Sequence, residues 1–177
     1  LHFESAISNN KSHPGYWSCL GKAQLKKGDL ESSIISQKMA IELAPMDPNI
    51  LNDAGVCFLE GGRLTMALDV LEKASNIAPQ DGRITNNYAK TLLELGSYLE
   101  AAKIFEVLIN EEAEGVIKEE LFLDLSICYQ RMGQFSDALT TARHGLKVSP
   151  DHPMLGFQEA TMLFYESAQR ESWQRYQ

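Results

Sequence analysis

The chain has 177 residues, 44% hydrophobic and 23% charged, the composition of a globular protein and not of a disordered one. Its formal net charge of −8 argues against a nucleic-acid partner, whose phosphates need a basic stripe, and against an anionic membrane surface. No apolar run approaches the roughly 18 residues of a spanning helix, so membrane insertion is not expected.

One pattern recurs along the chain. Turn glycines at Gly28, Gly62, Gly96 and Gly133 are 34, 34 and 37 residues apart. Gly21, Gly55, Ala89 and Ser126 keep the same steps, and so do Ser33, Ala67, Ala101 and Ala138. A period of about 34 residues is that of a two-helix repeat. Leu1 to about Lys11 reads as the second helix of a truncated preceding repeat (residues 1–13), because Phe3 and Ala6 lie two periods before Leu71 and Ala74. The chain is therefore expected to start inside a repeat of a longer protein, with any signal peptide upstream.

Repeat one spans 14–47, with helices near Gly15–Lys27 and Leu30–Leu43. Repeat two spans 48–81, with helices near Asn49–Glu60 and Thr65–Ile77. Repeat three spans 82–118, with helices near Arg83–Leu95 and Tyr98–Glu112 and a three-residue insertion near Glu114–Lys118. Repeat four spans 119–152, with helices near Lys118–Met132 and Ser136–Val148. Residues 153–177 lack a turn glycine and read as one long helix, a cap or the start of a further repeat. The stretch Glu111–Glu120 is the most acidic, either a solvated helix end or a docking patch for a basic partner.

Each landmark has a physical reason. The small residue on the first helix admits close approach of the facing helix. The glycine after that helix supplies a left-handed residue at its C-terminus. Pro45, Pro79 and Pro150 stop the second helices. His13–Pro14, Asp47–Pro48 and His152–Pro153 share a phase and read as loop punctuation. No repeat can bury both its faces alone, so neighbours must stack; Leu20, Leu71, Phe105 and Leu125 are the expected buried seams.

The pattern resembles the tetratricopeptide repeat. It shows as Trp17, Leu20, Gly21, Ala40 and Pro45 in the first unit and as Gly55, Phe58, Ala67, Ala74 and Pro79 in the second. The third has Tyr88, Ala89, Gly96, Tyr98, Ala101 and Phe105; the fourth has Tyr129, Gly133, Phe135, Ala138 and Pro150. The resemblance implies an all-α, right-handed superhelical solenoid of antiparallel helix pairs. Its concave wall would be lined by the first helices. On that wall the expected peptide-binding residues are Lys22, Asn49, Asn52, Asp53, Arg83, Asn86, Asn87, Lys90, Asp124 and Arg131. Asn52 and Asn86 recur one period apart, and amides can both donate to and accept from a peptide backbone. One subclass of the family grips a C-terminal carboxylate with lysines, asparagines and an arginine. The matching positions here are Ser18, Lys22, Asp53, Arg83 and Asn87; Asp53 puts a negative charge where a carboxylate should bind, which argues against acidic C-terminal tails.

The resulting expectation is a non-catalytic interaction scaffold that holds an extended peptide or protein segment in its concave groove. Two alternatives stay open: the recruiting arm of a larger modifying enzyme such as a glycosyltransferase, and a self-assembly module. Catalysis within the chain is not expected, since it has no glycine-rich phosphate loop and no nucleophile elbow. Cys19, Cys57 and Cys128 are an odd count without a close pair, which gives no disulfide framework and points to a reducing compartment, the cytoplasm. Cys57 and Cys128 share a repeat position and read as small buried hydrophobes. His2, His13, His144 and His152 lack metal-ligand spacing, and nothing calls for a metal or a cofactor.

Overall fold

A computed structural model describes residues 12–111, 116 and 118–175, with side chains described as far as Ala168. The expected helix at Leu1–Lys11 and most of the insertion near Glu114–Lys118 lie outside the described residues. Among the described residues there are nine helices and no strand: α1 Pro14–Lys26, α2 Leu30–Leu43, α3 Pro48–Glu60, α4 Leu64–Ile77, α5 Gly82–Glu94, α6 Tyr98–Asn110, α7 Lys118–Arg131, α8 Phe135–Val148 and α9 Pro153–Arg175. The chain divides into two compact units, Leu1–Thr91 and Leu92–Gln177.

Local chemistry fixes where the helices start. The Asp47 carboxylate accepts from the N–H groups of Asn49 (2.9 Å) and Ile50 (3.3 Å), capping α3. Asp81 does the same for α5 through Arg83 (3.0 Å) and Ile84 (3.4 Å). At α9 the cap is His152, whose Nδ1 accepts from the Leu155 N–H at 3.2 Å. Residues expected only as loop punctuation are thus helix caps. Pro14, Pro48 and Pro153 follow as the first helical residue, where a missing N–H costs nothing. This is why α1 and α3 begin one residue earlier than the sequence suggested. His13 makes no side-chain cap and stacks on Tyr16, ring centroids 4.3 Å apart.

The ends are set by backbone conformation. Gly28, Gly62, Gly96 and Gly133 have φ of +81°, +69°, +85° and +78°, a region that a Cβ disfavours by roughly 1–2 kcal/mol. The second helices α2, α4 and α8 stop two residues before Pro45, Pro79 and Pro150, with Ala44, Ala78 and Ser149 already out of the helical region. The helix expected to run to Glu112 ends at Asn110.

In the first unit α1 packs on α2 and α3, α2 on α3, and α3 on α4. Ala54, Phe58, Ala67 and Leu71 form one buried cluster, with Ile34, Ile41 and Tyr88 against it. Leu51, Ala74 and Ile84 form another. A Cβ added at Gly55 would lie 2.3 Å from Leu71 Cγ, so the small residue is what admits the facing leucine. The first pair is built differently. Gln37 stands where the second pair has Leu71; it is fully buried and donates through Nε2 to the Ser18 carbonyl (3.2 Å) and to Cys57 Sγ (3.0 Å). Ser33 and Ser36 are buried beside it, and Ser36 donates to Gln24 at 2.7 Å. Leu20, expected in a buried seam, is only half-buried.

In the second unit α7 packs on α6 and α8, and α9 packs on α8 and α7. Phe122, Ala142 and Leu155 form one buried cluster and Ala138, Leu139 and Met162 another. Phe105 and Leu125 are buried as expected. Tyr129 donates its hydroxyl to Glu106; burial first, and the Glu106 carboxylate second, push the Tyr129 pKa up to about 12.

Two expectations can be measured. Gly55→Ala gains about 0.5–1 kcal/mol of helix propensity but forces the Leu71 contact, costing about 1–3 kcal/mol, so it should destabilise the chain in urea. In a Leu71→Ala background the same change should be neutral or stabilising; a cost unchanged there would show that the contact is not the constraint. The second concerns Asp81. Partial burial alone would raise its pKa, but the Arg83 hydrogen bond and charge and the N–H groups of Ile84 and Arg83 hold it below the ordinary carboxylate value. Because the folded pKa is the lower one, the stabilisation is present above the ordinary carboxylate range and fades as pH falls through the depressed value. Asp81→Ala should therefore cost about 1 kcal/mol at neutral pH, with the gap to the parent closing in acid.

Candidate functional site

The candidate site lies on the first helices of the first unit, α1, α3 and α5. Side chains on these helices meet in a regular ladder. Ser18 on α1 donates to Asp53 Oδ2 on α3 at 2.9 Å. Asn87 on α5 donates through Nδ2 to Asn52 Oδ1 on α3, also at 2.9 Å. Both rungs join residues 35 apart, one repeat plus one position. Arg83 reaches Asn49 Oδ1 at 3.4 Å and is held at 2.9 Å by Asp81, the cap of its own helix. Lys22 on α1 forms an ion pair with Asp53 Oδ1 at 2.6 Å. Both Asp53 oxygens are thereby engaged, one by an ammonium and one by a hydroxyl.

This corrects one sequence expectation. Asn52 and Asn86, read from the sequence as exposed amides facing a groove, are each only 9% exposed. The close approach of the first helices folds that position between neighbours. The Asn52 Oδ1 accepts from Asn87, and the Asn86 Oδ1 is buried without a hydrogen-bond partner. Asn87 and Lys90 are half-buried, whereas Asn49 and Arg83 stay exposed. The structure thus brings Lys22, Asn49, Asn52, Asp53, Arg83 and Asn87 together in the first unit, with Asn86 and Lys90 on the same α5. Asp124 and Arg131 lie on α7 of the second unit, Asp124 half-buried and Arg131 exposed.

Beside the ladder a cleft of about 250 Å³ opens between α1 and α3, lined by Lys22, Leu25, Lys26, Val56, Cys57 and Glu60. Leu25 and Val56 give it apolar walls; the exposed Lys26 and Glu60 stand at its rim. Leu25 was missed in the sequence, where a leucine near the end of a first helix is indistinguishable from a core residue. Burial pushes the Cys57 thiol up to about 11 against the smaller opposing effect of the Gln37 hydrogen bond, so it is a poor nucleophile at neutral pH. Burial, and the Asp124 charge after it, raise Cys128 to about 12. Among the described residues no group of histidine, cysteine and carboxylate side chains could hold a metal ion, and no helix is long and apolar enough to cross a membrane.

No protein-family model matches the sequence, and no curated protein matches it. Solved structures do match. The chain is similar to YrrB, a TPR protein with an unusual peptide-binding site, with a TM-score of 0.73 at 18% identity over 94% of this chain and 84% of that one. It is similar to MamA from Desulfovibrio magneticus, with a TM-score of 0.76 at 14% identity over 92% and 90% of the two chains. It is also similar to TTC0263, a thermophilic TPR protein of Thermus thermophilus, with a TM-score of 0.68 at 21% identity over 92% and 87%. With its 34-residue period, left-handed turn glycines and antiparallel helix pairs, the chain has the tetratricopeptide-repeat fold.

Proposed function

We propose that the chain is a non-catalytic interaction module that holds an extended protein segment along the first helices of its first unit. The observation that carries this reading is the cleft between α1 and α3, apolar at Leu25 and Val56 and charged at its rim, continuous in sequence with the polar ladder on α3 and α5. An apolar side chain of the segment would sit against Val56. Its backbone would meet the exposed Asn49 and Arg83, which can accept and donate respectively. The similarity to YrrB, which has a peptide-binding site, agrees with this reading but shows only the fold. Three free cysteines, two of them buried, fit a reducing compartment such as the cytoplasm.

Ligand charge follows from the ladder. A clamp for a C-terminal carboxylate needs free cations, and the Lys22 ammonium is already neutralised by Asp53 at 2.6 Å. The favoured segment is an internal stretch of chain rather than an acidic terminus.

Two variants test this. Peptides selected from a display library on the parent should lose binding to Val56→Arg, which fills the cleft from a half-exposed position and leaves the helical circular dichroism unchanged. Retention of binding by the folded variant would place the site elsewhere. Asp53→Asn should release Lys22 and raise affinity for a peptide ending in an acidic residue by about tenfold, or 1.4 kcal/mol, measured by calorimetry. No gain in that variant would mean that the Lys22–Asp53 pair is not what excludes such tails.

A further inference from the structure

The lining of the α1–α3 cleft recurs once more along the chain. Leu25 and Lys26 correspond to Leu93 and Glu94 on α5, 68 residues on. Val56, Cys57 and Glu60 correspond to Ile127, Cys128 and Arg131 on α7, 71 residues on. Both intervals are two repeats, the second including the longer 37-residue step. The exposures recur as well. In each set the leucine and the β-branched residue are half-buried, the cysteine is buried, and the two charged residues are exposed. All five later residues belong to the second unit. One repeat on, the register reads differently. It gives Leu59, Glu60, Lys90, Thr91 and Glu94, with a lysine in place of the aliphatic wall and two like charges at the rim. The pattern thus skips a repeat, which stacking alone does not require, since every repeat meets its neighbours in the same way.

The rim is the part that changes. At the first cleft the earlier helix brings the cation, Lys26, and the later one the anion, Glu60. In the second set the anion comes first, Glu94 on α5, and the cation second, Arg131 on α7. Among the described residues none of these four enters an ion pair, whereas Lys22 is held by Asp53. An extended segment points alternate residues to one side, about 7 Å apart. An apolar residue seated against the wall therefore brings the residues two before and two after it to the rim. Charge complementarity at that rim asks for one acid and one base.

We infer that Leu93, Glu94, Ile127, Cys128 and Arg131 form a second cleft of the same kind on the second unit, which takes an apolar side chain of a partner segment flanked, two residues away on either side, by an acidic residue toward Arg131 and a basic residue toward Glu94. This rests on the reading of the α1–α3 cleft as a segment-binding site and adds a second anchor to it.

A peptide display library selected on Val56→Arg, whose first cleft is filled, should still yield binders with an apolar residue between an acid and a base. Adding Ile127→Arg, at a half-buried position, should weaken those binders at least about tenfold with the helical circular dichroism unchanged. Arg131→Glu in the same Val56→Arg background changes only an exposed side chain and covers the case in which the added arginine disturbs folding. It should weaken the acid-bearing peptide about fivefold, the scale of an exposed pair turned from attraction to repulsion, and replacing the peptide's acid by lysine should restore the affinity. Peptides from the parent that Val56→Arg abolishes, together with none selected on Val56→Arg itself, would remove the second cleft and leave the first standing. Peptides selected on Val56→Arg that are indifferent to Ile127→Arg and Arg131→Glu would place their site elsewhere and overturn the inference.

Discussion

Everything in the first unit depends on how near a first helix comes to the second helix of its pair. Gly55 faces Leu71 so closely that no side chain fits between them, and Gly21 faces Gln37 at a comparable distance. Once that separation is fixed, the fate of each neighbouring side chain follows. Leu71 becomes fully buried, Ala67 and Ala74 need no more room than a methyl group, and the apolar remainder of α4 has one way to pack. In the second unit Ala138 and Ala142 fill the matching role on α8 beneath Leu155 and Met162. The small residue has no large energy of its own; it decides which large residues can contribute theirs.

That same closeness explains what the sequence could and could not reveal. Turn glycines and helix-stopping prolines were legible because they answer to the backbone alone, and no tertiary context relaxes a positive φ or restores a proline N–H. The position shared by Ser18, Asn52 and Asn86 was not legible as buried. Its residues are polar, and nothing in a helical pattern reports how near the adjacent first helix stands. Only the three-dimensional separation turns a surface amide into a rung between helices. His152 is a milder case: a histidine before a proline looks like a loop until its ring nitrogen is seen to accept the N–H of Leu155.

Polar rungs between first helices carry a consequence for recognition. A buried polar group is tolerated when it is paired, and pairing removes it from the set that can grip a ligand. Asp53 is the sharpest example. Its two oxygens hold Ser18 and Lys22, so the residue that would repel a carboxylate also occupies the lysine that would attract one. Half-exposed in water, the Lys22–Asp53 pair contributes little to stability.

The first helix pair meets its neighbour through polar contacts. Gln37, Ser33 and Ser36 replace the aliphatic residues that fill the second pair, and the links from α1 and α2 toward α3 run through Gln37 to Cys57 and through Ser18 and Lys22 to Asp53. A repeat array is stabilised by the sum of each repeat's own packing and its interface with the next. The cleft lined by Leu25 and Val56 straddles that same α1–α3 interface, so a segment bound there adds contacts to the boundary on which the first pair depends. A segment held there would add local stability to the first pair as it gained affinity.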